Sequence, residues 1–275
     1  MFVKICGITS ESDALMAIGL GADALGFVFA PSSRQMAVRA VARIVDRLPR
    51  EILTVGVFRD ESATRIVQII NETGLQAAQL HGNESIDTCR YVAERVPVSI
   101  KAFSAGNDHI SRWKEYGVNF VMIDSHSPGS GQVFDWQLAE DISNMDRVIL
   151  AGGLSPSNVA AAIDHFHPSG VDVSSGVESA PGRKDPNKIR EFIRAARHGE
   201  SGYHHENSHH ENSHPTSADV DFDSTALEGG TEDMVHSGNS GSGSGNIAYS
   251  DDYTAGDVKG SRVIFNWEDD YEDGS

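Results

Sequence analysis

Cysteine is scarce: the 275 residues contain two, Cys6 and Cys89. Two thiols make no disulfide framework, and a reducing cytoplasmic setting fits them. Long apolar runs are missing as well. None approaches the roughly 18 residues that a membrane span needs, so no membrane partner is expected. Met1-Phe2-Val3-Lys4-Ile5-Cys6 reads as a strand, without the charged n-region or cleavage site of a signal peptide. Basic residues nearly vanish from one end. Of 22 Lys and Arg, only Lys259 and Arg262 follow residue 198, whereas 17 of the 40 Asp and Glu do. The first 198 residues thus hold 20 basic and 23 acidic side chains, a net −3, and the last 77 hold 2 and 17, a net −15. A near-neutral body without a basic stripe argues against nucleic acid as a partner. An acidic tail would repel phosphate backbones too.

The tail, residues 199–275, also has few apolar side chains. Nine of its 77 residues are Leu, Ile, Val or Phe, below the roughly 20% of chains that fold. Ordering each residue costs about 1–2 kcal/mol of backbone entropy, and so little apolar area cannot offset that. Disorder is therefore predicted. The tail contains a tandem repeat, His204-His205-Glu206-Asn207-Ser208 and His209-His210-Glu211-Asn212-Ser213, and a linker-like Gly-Ser run over 238–245. The repeat has the composition of a loose transition-metal binder, but no metal is assigned to it. Val263-Ile264-Phe265-Asn266-Trp267 is a sticky segment in an acidic frame. It reads as a solubilising end or as a docking motif whose partner the sequence does not name.

Residues 1–198 are different. Short apolar runs at 2–6, 24–29, 53–58, 77–80, 98–103, 120–124, 148–151 and 170–174 alternate with helical patterns at 11–20, 38–48, 63–72, 87–96, 156–166 and 186–197. Phe120-Val121-Met122-Ile123 is apolar at consecutive positions, which suits parallel strands covered on both faces. Ser10, Ser155 and Asp185 stand where helix caps belong. Eight strand–helix units in one domain predict a closed (β/α)₈ TIM barrel, with an open doubly wound sheet as the alternative.

In such a barrel the chemistry sits at the carboxyl ends of the strands. Lys4 and Cys6 share one face of the first strand, opposite Val3 and Ile5. If the apolar face meets the helices, Lys4 and Cys6 point inward, and the cation would favour thiolate. The bland alternative for Cys6 is a small buried hydrophobe. Asp124 closes an apolar strand, which is costly unless the carboxylate is paired or used; capping the next loop is the alternative. Gly152 and Gly153 end strand seven, and Ser174, Ser175 and Gly176 end strand eight. Barrels often bind phosphate through these two loops and the start of a short extra helix.

Several segments resemble the phosphoribosylanthranilate isomerases. They are Lys4-Ile5-Cys6-Gly7-Ile8-Thr9, Gly56-Val57-Phe58, Gln79-Leu80-His81-Gly82 and Phe134-Asp135-Trp136, then the run from Leu150 to Val159 and the run from Val171 to Glu178. The likeness is collinear over residues 2–197 and leaves the tail uncovered. It implies an isomerase of tryptophan biosynthesis that performs an Amadori rearrangement of N-(5-phosphoribosyl)anthranilate, giving 1-(2-carboxyphenylamino)-1-deoxyribulose 5-phosphate. On this resemblance Asp124 is the general acid and Cys6 the general base. Arg34 binds the anthranilate carboxylate, and His81 and Asp172 line the substrate. No cofactor is implied, and the barrel is expected to be monomeric. Three places depart from the family pattern: Ser33 stands for a common proline, Gln35-Met36 for an aromatic–aliphatic pair, and Gln132 for a common lysine. Two other readings compete. One is a different phosphosugar isomerase, such as the bifunctional enzyme that also serves histidine synthesis. The other is a non-catalytic phosphate-binding barrel acting as a scaffold through its tail.

Overall fold

A computed structural model describes residues 1–124 and 147–206, with side chains as far as 198. The loop at 127–132, the Phe134-Asp135-Trp136 motif and the tail from 207, with its expected disorder, lie outside the described residues.

Eight parallel strands close into a barrel in sequence order. They are β1 (Phe2–Ile5), β2 (Ala24–Val28), β3 (Leu53–Phe58), β4 (Ala77–Leu80), β5 (Val98–Ser104), β6 (Phe120–Asp124), β7 (Val148–Ala151) and β8 (Gly170–Val173). Closure rules out the open sheet. Strands β2 to β7 each contribute to two apolar clusters, whereas β1 and β8 turn the Lys4–Asp172 ion pair inward. Ala24, Val55, Ala77, Ile100, Met122 and Ile149 fill the interior. Val3, Ile5, Leu25, Val121, Ile123 and Val171 face outward, toward the helices. The period-2 alternation of the strand thus divides the two layers.

The helices are α1 (Glu11–Gly19), α2 (Val38–Val45), α3 (Ala63–Thr73), α4 (Ile86–Ala93), α5 (Val159–Phe166) and α6 (Pro186–Glu206). In α3, Ile66, Ile69, Ile70 and Thr73 are buried along one stripe, and left-handed Gly74 ends the helix. Burying each isoleucine contributes about 1.5–3 kcal/mol. Ser10 caps α1 by accepting from the Asp13 amide. Asp185 caps α6 by accepting from the amides of Asn187 and Lys188. Ser155 does not cap α5, contrary to expectation. The helix begins three residues later than predicted, after Asn158, whose carbonyl side chain turns back to the Ser155 amide. α6 also runs beyond the expected end at 197.

Two elements escaped the sequence reading. Residues Ile110–Tyr116, between β5 and β6, form a 3-10 turn. Beyond β8 a hairpin of β9 (Glu178–Ala180) and β10 (Arg183–Lys184) turns at Pro181-Gly182. Gly182 has φ +77° there, the position after proline that a type II turn reserves for glycine.

The first and last elements are tied together. Asp23 accepts from the Val3 amide at 2.8 Å, and Arg197 reaches the Gly21 carbonyl at 2.7 Å and Asp23 at 3.3 Å. Outside the barrel wall, Lys101 of β5 pairs with Glu84 at 2.7 Å, both side chains almost fully enclosed. The ammonium also bonds the carbonyls of Gly82 and Leu80. Removing one partner of such a pair strands a buried charge, a loss of about 3–5 kcal/mol. Glu84→Ala should therefore destabilise the protein by that amount in urea unfolding followed by circular dichroism. A loss under ~1 kcal/mol would mean that water reaches Lys101.

Candidate active site

The residues expected in the site gather at the carboxyl rim of the barrel, in two groups. The first surrounds β1. The register of closure sets Lys4 opposite Asp172. Their side chains meet at 2.7 Å, Lys4 being wholly buried. Cys6 follows β1 and is 7% exposed. Its sulfur and the Lys4 ammonium both lie against Gly26 of β2, where an added Cβ would stand 2.7 Å from Sγ and 2.9 Å from Nζ. Only a residue without a side chain leaves room for both groups. The expected inward direction of Lys4 and Cys6 is what the structure has.

The expected drift of Cys6 toward thiolate is not. Burial pushes the thiol up; Lys4 pulls it down, but Asp172 opposes that pull, and the net shift is upward from 9.0. Lys4 is itself disfavoured by burial, yet Asp172 and Cys6 outweigh this and raise it, so it stays charged. Burial thus favours the thiol over the thiolate at Cys6, beside a cation that Asp172 pairs.

Arg34 reaches the same corner from the loop after β2. Its guanidinium forms a two-pronged pair with Glu178, Nε to Oε1 and Nη2 to Oε2, both 2.7 Å. Lys184 of β10 adds a third contact to Glu178 at 3.0 Å and donates to the Ser174 carbonyl. Burial opposes the Glu178 charge, but Arg34 and Lys184 prevail and hold its carboxyl below the usual value. Glu178 and Lys184 had no assigned role in the sequence reading. The Pro181-Gly182 turn was the available signal, since it folds Lys184 back onto Glu178. A guanidinium has five N–H groups, so the Nη1 side of Arg34 is still available for a second anion.

The second group lies on β4 and β6. His81 follows β4, and its Nε2 is 2.9 Å from Oδ2 of Asp124 at the end of β6. Both side chains are about one-third exposed. Behind them Gln79, inside the barrel, contacts Nδ1 of His81 at 2.8 Å. A cleft of about 700 Å³ opens beside His81, between the loops after β4 and β5; neither Cys6 nor Asp124 lines it.

The two glycine turns meet. Gly152 and Gly153 have φ of +85° and +63°. Ser175–Val177 forms a three-residue 3-10 turn, where a short extra helix was expected to begin. A Cβ on Gly176 would fall 1.9 Å from the Leu154 carbonyl oxygen, so the loops after β7 and β8 are in contact. Among the described residues no group of three or more His, Cys, Asp and Glu could hold a metal. No described helix is long and apolar enough to cross a membrane.

Comparison with known proteins decides the family. Residues 3–195 match the family model of N-(5'-phosphoribosyl)anthranilate (PRA) isomerase. The chain belongs to the phosphoribosylanthranilate isomerase family. A family member from Desulforudis audaxviator is 50% identical over 202 residues, which are 71% of this chain and 97% of that protein. One from Pelobacter propionicus is 45% identical over 205 residues. The crystal structure of the isomerase from Thermotoga maritima superposes with a TM-score of 0.68 at 41% identity, covering 72% of this chain and 99% of that one. A second isomerase structure, at 40% identity and TM-score 0.66, holds reduced 1-(o-carboxyphenylamino)-1-deoxyribulose 5-phosphate. As a member of this isomerase family, the chain is an isomerase rather than an inert scaffold. The matched region ends before the acidic tail.

The buried neutral sulfur has a measurable consequence. In a Cys89→Ala background, inactivation by iodoacetamide at pH 7.5 should lag behind alkylation of free cysteine. Its rate should rise with pH through a midpoint above 9, because burial raises the thiol. A midpoint below 8 would mean that Lys4 outweighs burial.

Proposed function

We propose that the chain converts N-(5-phosphoribosyl)anthranilate to 1-(2-carboxyphenylamino)-1-deoxyribulose 5-phosphate, in tryptophan biosynthesis, with Asp124 as general acid and Cys6 as general base. One observation carries this reading. An inward thiol beside a buried ammonium and a carboxyl group held by an imidazole stand on the same rim, on strands three apart in the closed barrel. The bound ligand in the related structure, a reduced form of that product, supports the choice of substrate.

In the reaction Asp124 passes a proton to the furanose ring oxygen. The C1–O bond breaks, and the nitrogen lone pair forms a cationic Schiff base. Cys6, having first lost its own proton to solvent, then takes the proton from C2 as the thiolate, giving an enolamine. Protonation at C1 and loss of the hydroxyl proton at O2 complete the ketone. The resting thiol is a poor base. Lys4 stabilises the thiolate, and the Schiff base adds a second positive charge at the step where a base is needed. No organic cofactor is required, because the Schiff base is the electron sink.

Lys4, Arg34 and Lys184 face two carboxylates, Asp172 and Glu178, which leaves an excess of one positive charge for an anionic substrate. The free edge of Arg34 suits the anthranilate carboxylate. Asp172 holds Lys4 beside the sulfur, and His81 holds Asp124. Gly152, Gly153, Ser174, Ser175 and Gly176 form the joined turns that receive the phosphate. We assign catalysis to residues 1–198 and none to the tail. The last described contacts of α6, buried Ala196 and the Arg197 pair with Asp23, fall inside that boundary.

Loss of the substrate's fluorescence gives a direct assay. Cys6→Ser and Asp124→Asn should each lower kcat by about 10²–10⁴, the usual worth of a placed acid or base, and leave KM within a few fold. Full activity in either variant would remove that assignment. A chain ending at residue 198 should keep its melting temperature and its turnover; a large fall in either would give the tail a part in the folded enzyme.

A further inference from the structure

We propose that Gln79 is a positioning residue that locks His81 in the tautomer bearing its proton on Nε2, and so fixes which oxygen of Asp124 is left to donate. The proposal deepens the reading of Asp124 as general acid and rests on it. Gln79 lies inside the barrel on β4 and is 1% exposed. Its amide nitrogen faces Nδ1 of His81 at 2.8 Å and the sulfur of Met122, on β6, at 3.2 Å. A thioether can only accept, so the end of the amide that meets it is the N–H₂ end. An N–H aimed at Nδ1 requires that nitrogen to be bare. The imidazole proton is then on Nε2, aimed at Oδ2 of Asp124 at 2.9 Å. Three contacts agree on one proton arrangement, running from β4 through His81 to β6. With Oδ2 receiving a hydrogen bond, the carboxyl proton of Asp124 belongs on Oδ1, the oxygen that His81 leaves open.

The other end of the same amide is the second observation. Gln79 Oε1 is buried without a hydrogen-bond partner among the described residues. An orphaned acceptor of this kind lowers stability, because it gives up its hydration for no partner. Turning the amide over would not remove the cost. It would set the oxygen against a sulfur that has no proton to give and orphan the two-proton end instead. A methionine or leucine would fill the space without burying an unpaired amide oxygen. The glutamine is thus a poor choice for stability and a good one for holding Nδ1.

The test uses the full chain, Gln79→Met and Gln79→Glu variants, and long-range ¹H–¹⁵N correlation of the histidine rings, with His81 assigned by its loss in His81→Asn. In the parent protein His81 should show a bare Nδ1 and a protonated Nε2. In Gln79→Met the two tautomers should mix, and in Gln79→Glu the proton should appear on Nδ1. Gln79→Met should lower kcat about tenfold, a share of what a placed general acid supplies, while its melting temperature stays level or rises. In a His81→Asn background the same change should alter kcat less than twofold. Any of four results would overturn the proposal: a protonated Nδ1 in the parent, an unchanged His81 signal in Gln79→Met, undiminished kcat in that variant, or an equal loss of kcat without His81. The ring signals are read without substrate. A parent that fails to turn over phosphoribosylanthranilate would sink the functional reading and leave the tautomer result standing.

Discussion

The ion pair between Lys4 and Asp172 crosses the seam where β1 meets β8. Both charges are buried, and neither would be tolerable there alone, since an unpaired charge in a dry interior costs several kcal/mol. Closing the barrel brings them together and thereby fixes a cation beside Cys6. The same closure brings Ser174 and Glu178, which follow β8, to the corner that Gly7 and Arg34 share. Much of the β1 side of the mouth is therefore a consequence of one strand register.

The mouth divides by chemistry. On the side of β1, β2 and β8, cations outnumber carboxylates, and a neutral thiol waits among them. On the side of β4 and β6, a chain of hydrogen bonds from Gln79 through His81 ends on the Asp124 carboxyl group. The reaction proposed for this site calls for both environments, and strands three apart keep Lys4 from pairing with Asp124.

Much of the barrel was legible in the chain itself. Short apolar runs marked the eight strands, and many were apolar at consecutive positions, as β6 is, because strands covered on both faces have little polar face to show. Candidate site residues were legible where a polar group ends or follows such a strand, as Asp124 and Cys6 do. Partners were less so. The role of Glu178 depends on Arg34, 144 positions away, and that of Gln79 on Met122, 43 positions away. Ser155 looked like a cap and is not one, since Asn158, three residues on, turns back to its amide.

By itself the sequence determined the order of the eight barrel strands and six helices and which side chains stand at the strands' carboxyl ends, because these follow from local periodicity. It also determined that only two basic residues, Lys259 and Arg262, follow residue 198. Only the tertiary structure decided the protonation state of Cys6 and the partner of Arg34. A thiol's charge depends on the balance between lost hydration and the cations packed around it, and that balance exists only once the barrel has closed.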